Sequence, residues 1–117
     1  MIIPGAEIRV LVATKPVDFR RQADTLAALV QETLQESPWS GTIYVFRPKR
    51  TNRVKLLWWD GTGICLLTKR LEDRQFRWPA IADGTMPLTS EQLAVLLQGL
   101  EWRHPLPRET VRPSATQ

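Results

Sequence analysis

Gly41–Arg70 reads GTIYVFRPKRTNRVKLLWWDGTGICLLTKR, and the fold depends on how this stretch divides. Thr42–Phe46 (TIYVF), Val54–Trp59 (VKLLWW) and Ile64–Lys69 (ICLLTK) are short runs rich in β-branched and aromatic residues, the composition and length of strands. DGTG at Asp60–Gly63 separates the last two. Glycine supplies the positive φ that a tight hairpin requires, so these strands form a hairpin. Short connections make all three strands antiparallel neighbours. The first connection, RPKRTNR at Arg47–Arg53, is a cationic tip on an apolar stem.

Upstream, EIRVLVA at Glu7–Ala13 alternates and reads as another strand. Phe19, Ala23, Leu26, Val30 and Leu34 then recur at helical spacing, which predicts a helix over Phe19–Gln35 with Asp18 as its N-cap. Ser37-Pro38 and Ser40-Gly41 end it. Downstream, Gln75–Trp78 is a short candidate fifth strand that Pro79 stops, and ADGT at Ala82–Thr85 is a further turn. Thr89-Ser90-Glu91-Gln92 is a capping box, with Leu88 and Leu93 spaced for a hydrophobic staple. Leu93, Leu96, Leu97 and Leu100 form the apolar face of that second helix. These elements give an α+β fold: an antiparallel sheet of about five strands with two amphipathic helices packed mainly on one face. Residues 1–103 form a single domain, and 104–117, with three prolines and no apolar periodicity, form a tail.

Composition narrows the function. At 117 residues the chain suits one domain, and its 43% hydrophobic and 24% charged content is that of a globular protein. No apolar run approaches the ~20 residues of a membrane helix, and the amino terminus lacks the basic region and cleavage site of a signal peptide. One cysteine, Cys65, excludes an internal disulfide and points to a reducing cytoplasm. The net charge is +4, but it is unevenly spread. Arg47–Arg77 holds nine cations against three anions, so this segment carries +6 and the remainder −2. Twelve of the 16 cations are arginine, the residue suited to planar contact with phosphate or carboxylate.

No catalytic constellation is present in this pattern. The single histidine, His104, stands at the start of the tail, and Cys65 lies between Ile64 and Leu66 on a strand, as a small apolar residue would. Asp60, Asp83 and Glu91 are the carboxylates to weigh as a metal triad. Asp60 and Asp83 each precede glycine in a turn, and Glu91 suits the first turn of a capped helix, so no metal or other cofactor is expected. The chain reads as a non-enzyme.

The cations are more informative. Arg47, Lys49, Arg50, Arg53 and Lys55 on the hairpin suit a phosphate backbone or groove. Their bland reading is a solvated hairpin whose charges prevent edge aggregation. Arg20 and Arg21 stand where a helix begins, a position that disfavours cations unless an anion joins them there. They either hold such a phosphate or fold back on Asp18 or Asp24. Trp58 and Trp59 point to opposite faces of their strand, so one of them needs cover outside the core.

With these segments placed, the chain resembles the small TnpB-type accessory protein of the IS-sixty-six family of bacterial insertion sequences. The likeness rests on RVLVATKPVDFRRQADTLAALV, GTIYVFRPKRTNRVKLLWWDGTGICLLTKRLE, FRWP and LTSEQLAVLLQGLEWR, which span about Ile8–Arg103. The resemblance implies a non-catalytic accessory to DNA transposition, working beside a separate transposase and a companion accessory protein. It departs from the family at Pro48, where a small or polar residue is usual; proline stiffens the chain and removes a backbone donor. The charge pattern and this setting together predict DNA binding through Arg20, Arg21, Arg47, Lys49, Arg50, Arg53 and Lys55. The alternative is a protein–protein adaptor that docks the transposase, or a second copy of itself as a homo-oligomer, through Leu57 and Trp59. Neither reading involves a membrane.

Overall fold

The computed structural model describes residues 8–49, 52–78 and 85–99. Among the described residues, five strands and two helices follow in the order β1 (Val10–Val17), α1 (Ala23–Glu32), β2 (Ile43–Pro48), β3 (Arg53–Trp59), β4 (Ile64–Arg70), β5 (Thr85–Leu88) and α2 (Ser90–Leu97). The strands form one sheet in the order β4-β3-β2-β1-β5. The α+β fold with five strands is as the sequence predicts.

The sheet is mostly antiparallel, not wholly so. β2, β3 and β4 form the expected meander, with Val45 opposite Leu56 and Leu56 opposite Leu67. β1 and β2 run parallel, Val10 beside Ile43 and Val12 beside Val45. The cause is the helix between them. Ten residues of α1, about 15 Å at 1.5 Å per residue, return the chain to the end of the sheet where β1 began, so β2 leaves in the same direction. β1 also carries an irregularity between Ala13 and Val17, after which Val17 pairs with Pro48. Pro48 is therefore a fully buried strand end and not part of the tip.

The two helices lie on opposite faces, which corrects the one-face arrangement. Leu26 and Val30 of α1 pack with Leu11, Ala13, Val17, Tyr44, Phe46 and Leu57. Leu93 and Leu96 of α2 pack with Val10, Val12, Val45, Val54, Leu56, Phe76 and Leu88. Successive strand residues alternate between these two clusters, so the three central strands are apolar on both faces. Such a sheet needs one cover per face.

Two boundaries also change. Gln75–Trp78 is irregular, and the fifth strand is Thr85–Leu88, paired with β1. β4 and β5 are opposite edges, so the intervening chain has to cross the sheet and cannot extend it; Phe76, 3% exposed, is buried on the α2 face along that crossing. The helix expected over Phe19–Gln35 is the shorter α1, and Asp18 does not cap it. The α2 capping box forms as expected: the Thr89 hydroxyl accepts from the Gln92 amide at 3.0 Å, and the Thr89 amide donates to Gln92 Oε1 at 2.9 Å. DGTG makes the expected hairpin, with Gly61 at φ +103. The proposed tail at 104–117, His104 and Asp83 lie outside the described residues.

Candidate nucleic-acid interface

The loop between β1 and α1 is organised by Asp18. Its Oδ1 accepts the Arg20 amide at 2.9 Å, and its main-chain carbonyl accepts the Arg21 amide at 3.0 Å. This self-contained turn consumes Asp18 before the helix starts, so α1 opens at Ala23 behind Gln22, whose side chain makes no capping bond. The carboxylate then binds the Arg20 guanidinium in fork fashion, Nε to Oδ1 at 3.1 Å and NH2 to Oδ2 at 2.7 Å. Those charged hydrogen bonds hold the Asp18 carboxyl well below the usual carboxylate range and raise the Arg20 guanidinium. Of the two readings of Arg20 and Arg21, Arg20 folds back on Asp18. Arg21 does not; it is exposed, and its NH1 makes a 3.5 Å contact to the Thr25 carbonyl.

The β2–β3 hairpin reaches the same place. Lys49 lines an open cleft of about 610 Å³ together with Val17, Asp18, Phe19, Arg20 and Arg21. The Arg53 guanidinium carbon lies 5.9 Å from the centre of the Phe19 ring, and its NH1 donates to Asn52 Oδ1 at 2.8 Å. Lys55 ties the two segments together. Only 4% exposed, it donates its Nζ to the Arg21 carbonyl at 2.6 Å, and burial lowers its pKa. Lys55 is thus a strut beneath the cleft with its ammonium committed, and not a free phosphate contact as the sequence suggested.

Arg47 departs from the expected set. It follows Val45 on the α2 face of β2, and its guanidinium carbon sits 5.7 Å from the centre of the Trp78 ring. Its Nε is buried without a hydrogen-bond partner. Strand alternation sends Arg47 to one face and Arg53 and Lys55 to the other, so these three cations of the hairpin do not form one patch. Arg50 lies outside the described residues.

The expected docking residues also separate. Leu57 is 0% exposed in the α1-face core, because its strand position puts it under α1; it offers no surface. Trp59 is half-buried at the far end of β3, and Trp58 packs against the α2-face core. Trp39, 52% exposed, stands in the turn after α1. Phe19, 37% exposed, is a surface aromatic ahead of α1 and not part of the helical face its spacing predicts. The signal for the Asp18 turn was present in the two-residue spacing of Asp18 and Arg20.

Asp60 serves the β3–β4 turn. Its Oδ1 accepts from the amides of Thr62 and Gly63 and from the Thr62 hydroxyl, at 2.9, 3.0 and 3.0 Å. These bonds lower its pKa to about 2. The Cys65 thiol donates to Asp60 Oδ2 at 3.5 Å, and burial, followed by that carboxylate, pushes the thiol up, away from the nucleophilic form. Among the described residues no group of three or more His, Cys, Asp or Glu side chains could hold a metal ion, and no helix is long and apolar enough to cross a membrane.

Comparisons with known proteins agree over most of the chain. Residues 8–107 match the profile of the family described as IS66 Orf2 like protein. Two proteins of Sinorhizobium fredii (strain NBRC 101917 / NGR234), named as uncharacterized proteins y4jC and y4hO, are each 41% identical over 114 residues, covering 97% of both chains. No solved structure matches. The chain belongs to the IS66 Orf2-like family, a family of transposition accessory proteins with no known enzymatic activity.

Proposed function

We propose that this accessory protein acts on the DNA of its element, in the bacterial cytoplasm, by holding the phosphate backbone in the cleft between the β1–α1 loop and the β2–β3 hairpin. The observation that carries the reading is convergence: Arg20 and Arg21 from one segment and Lys49 from another line a single cleft, with Arg53 beside Phe19 at its edge. Exposed cations brought together from distant parts of a sequence form a polyanion surface, and each phosphate they neutralise releases counterions. Asp18 tempers that charge. It cancels Arg20 in the free protein and fixes the guanidinium at the cleft wall.

The chemistry asked of the site is binding and orientation, not bond cleavage. Contacts of this kind position a protein on a duplex and carry no sequence information by themselves. Fluorescence anisotropy with a duplex carrying the element's terminus tests the reading: affinity falls steeply as salt rises, and an affinity insensitive to salt would defeat it.

The second reading is an adaptor that docks the transposase or the companion accessory protein. It draws on Trp39 and the half-buried Trp59, at the end of the sheet away from the cleft. Co-precipitation with purified transposase in the presence of nuclease separates the two readings. A direct contact survives the nuclease, whereas a DNA bridge does not.

A further inference from the structure

The two edges of the sheet are not equivalent. β5 is four residues long and contains Pro87, features that blunt an edge. β4 is seven residues long, pairs with β3 from Arg53–Arg70 to Trp59–Ile64 without a bulge, and contains no proline. No described strand lies on its outer side. At its midpoint Leu67 is 42% exposed, one of the few large apolar side chains so open to water among the described residues.

The hydrogen-bond phase of the ladder defines what that edge presents. The hairpin closes with the Asp60 amide donating to the Gly63 carbonyl at 3.1 Å, and at the other end the Leu71 amide donates to the Asn52 carbonyl at 2.9 Å. Both bonds belong to the same alternating set, in which Cys65, Leu67 and Lys69 spend their backbone groups on β3. The N–H and C=O groups of Ile64, Leu66, Thr68 and Arg70 therefore point to the open side.

We infer that β4 is the interface for a second copy of this chain, joined by antiparallel β4–β4 pairing about a two-fold axis at Leu67. In that register Leu67 faces the partner's Leu67, Leu66 faces the partner's Thr68, Cys65 faces the partner's Lys69 and Ile64 faces the partner's Arg70. The outward groups of Ile64, Leu66, Thr68 and Arg70 are those in phase to exchange hydrogen bonds. Leu67 falls on a pair without backbone bonds, where facing side chains approach most closely. Charge selects the same arrangement. Arg70 is already paired with Glu72 at 2.9 Å, so Lys69 decides: parallel pairing stacks it on its own copy, whereas the antiparallel register carries it to Cys65, whose Sγ lies 3.5 Å from the Asp60 carboxylate. Such a dimer extends the sheet across both copies and puts both α1 faces on one side. The inference does not depend on DNA occupying the cleft.

Light scattering under reducing conditions, coupled to size exclusion, tests it. The expected mass is twice 13.4 kDa, and Leu67→Lys, a surface change with an unchanged circular dichroism spectrum, yields the monomer. Cross-linking tests the register independently of whether that variant folds. In a Cys65→Ser background, Leu67→Cys oxidises to a disulfide dimer, because facing positions without backbone bonds suit disulfide geometry, while Lys69→Cys does not. A monomeric wild type, a dimer that survives Leu67→Lys, or equal cross-linking at both positions would overturn the inference.

Discussion

The two faces of the β2–β3 hairpin treat the same kind of residue in opposite ways. On the α2 face, Arg47 lies over Trp78 with its Nε buried, so its charge is absorbed into packing. On the α1 face, Lys49 and Arg21 remain exposed around a cleft, and Lys55 is drawn beneath it to brace the loop that carries Arg21. A cluster of cations in sequence is thus not a cluster in space. The alternation of a strand divides it, and what covers each face decides which charges stay available.

The largest effect that would sharpen this contrast falls on the α1-face core. Leu57→Ala removes a fully buried side chain between α1 and the sheet and should destabilise the fold by about 2–5 kcal/mol, read from urea unfolding. A loss below about 0.5 kcal/mol, within the range of surface changes, would mean that Leu57 is a surface residue after all. Arg47→Ala comes next. With its guanidinium stacked on Trp78, it should cost about 1–2 kcal/mol of stability while leaving DNA affinity unchanged. The smallest effect concerns pH. The Asp60 pKa is depressed to about 2, so its bonds stabilise the hairpin above the ordinary carboxylate range, and that contribution fades as pH falls through about 2. Asp60→Asn should flatten the acid limb between about pH 4 and pH 2, and an unaltered limb in acid titration followed by circular dichroism would contradict that role.

Much of the fold was legible because its signals are local. The Asp60–Gly63 turn, the meander on either side of it and the Thr89–Gln92 capping box each depend on residues within a few positions of one another. The placement of the helices is legible too, in the apolar continuity of the central strands. EIRVLVA alternates only over its first half; VLVA at Val10–Ala13 and YVF at Tyr44–Phe46 are continuous apolar runs, which means both faces are buried and one helix is needed on each. The parallel pairing of β1 and β2 follows from the intervening helix once its length is known. The crossing from β4 to β5 is a long-range matter that no local pattern announces, and Gln75–Trp78 looked like a strand because Phe76 and Trp78 are spaced as on a strand face.

The candidate site was legible in its members and not in its partition. Arg21 and Lys49 are exposed and Arg53 is half-buried beside Phe19, while the Arg47 Nε and the whole Lys55 side chain are buried. Asp18 changed most: expected to cap a helix, it pairs with Arg20 and makes the turn that faces Lys49 across the cleft. Burial of a lysine depends on what lies above its strand, and here that is a loop thirty-four residues away in sequence.

The most direct measurement is the salt dependence of duplex affinity for three proteins side by side: the wild type, Arg21→Ala/Lys49→Ala and Arg47→Ala. If the cleft holds phosphates, the double variant lowers the slope of log K against log salt by about 1.8, or about 0.9 for each cation removed, and Arg47→Ala leaves the slope at its wild-type value. A slope unchanged by the double variant, or lowered as much by Arg47→Ala, would contradict the division of the hairpin's charges between its two faces.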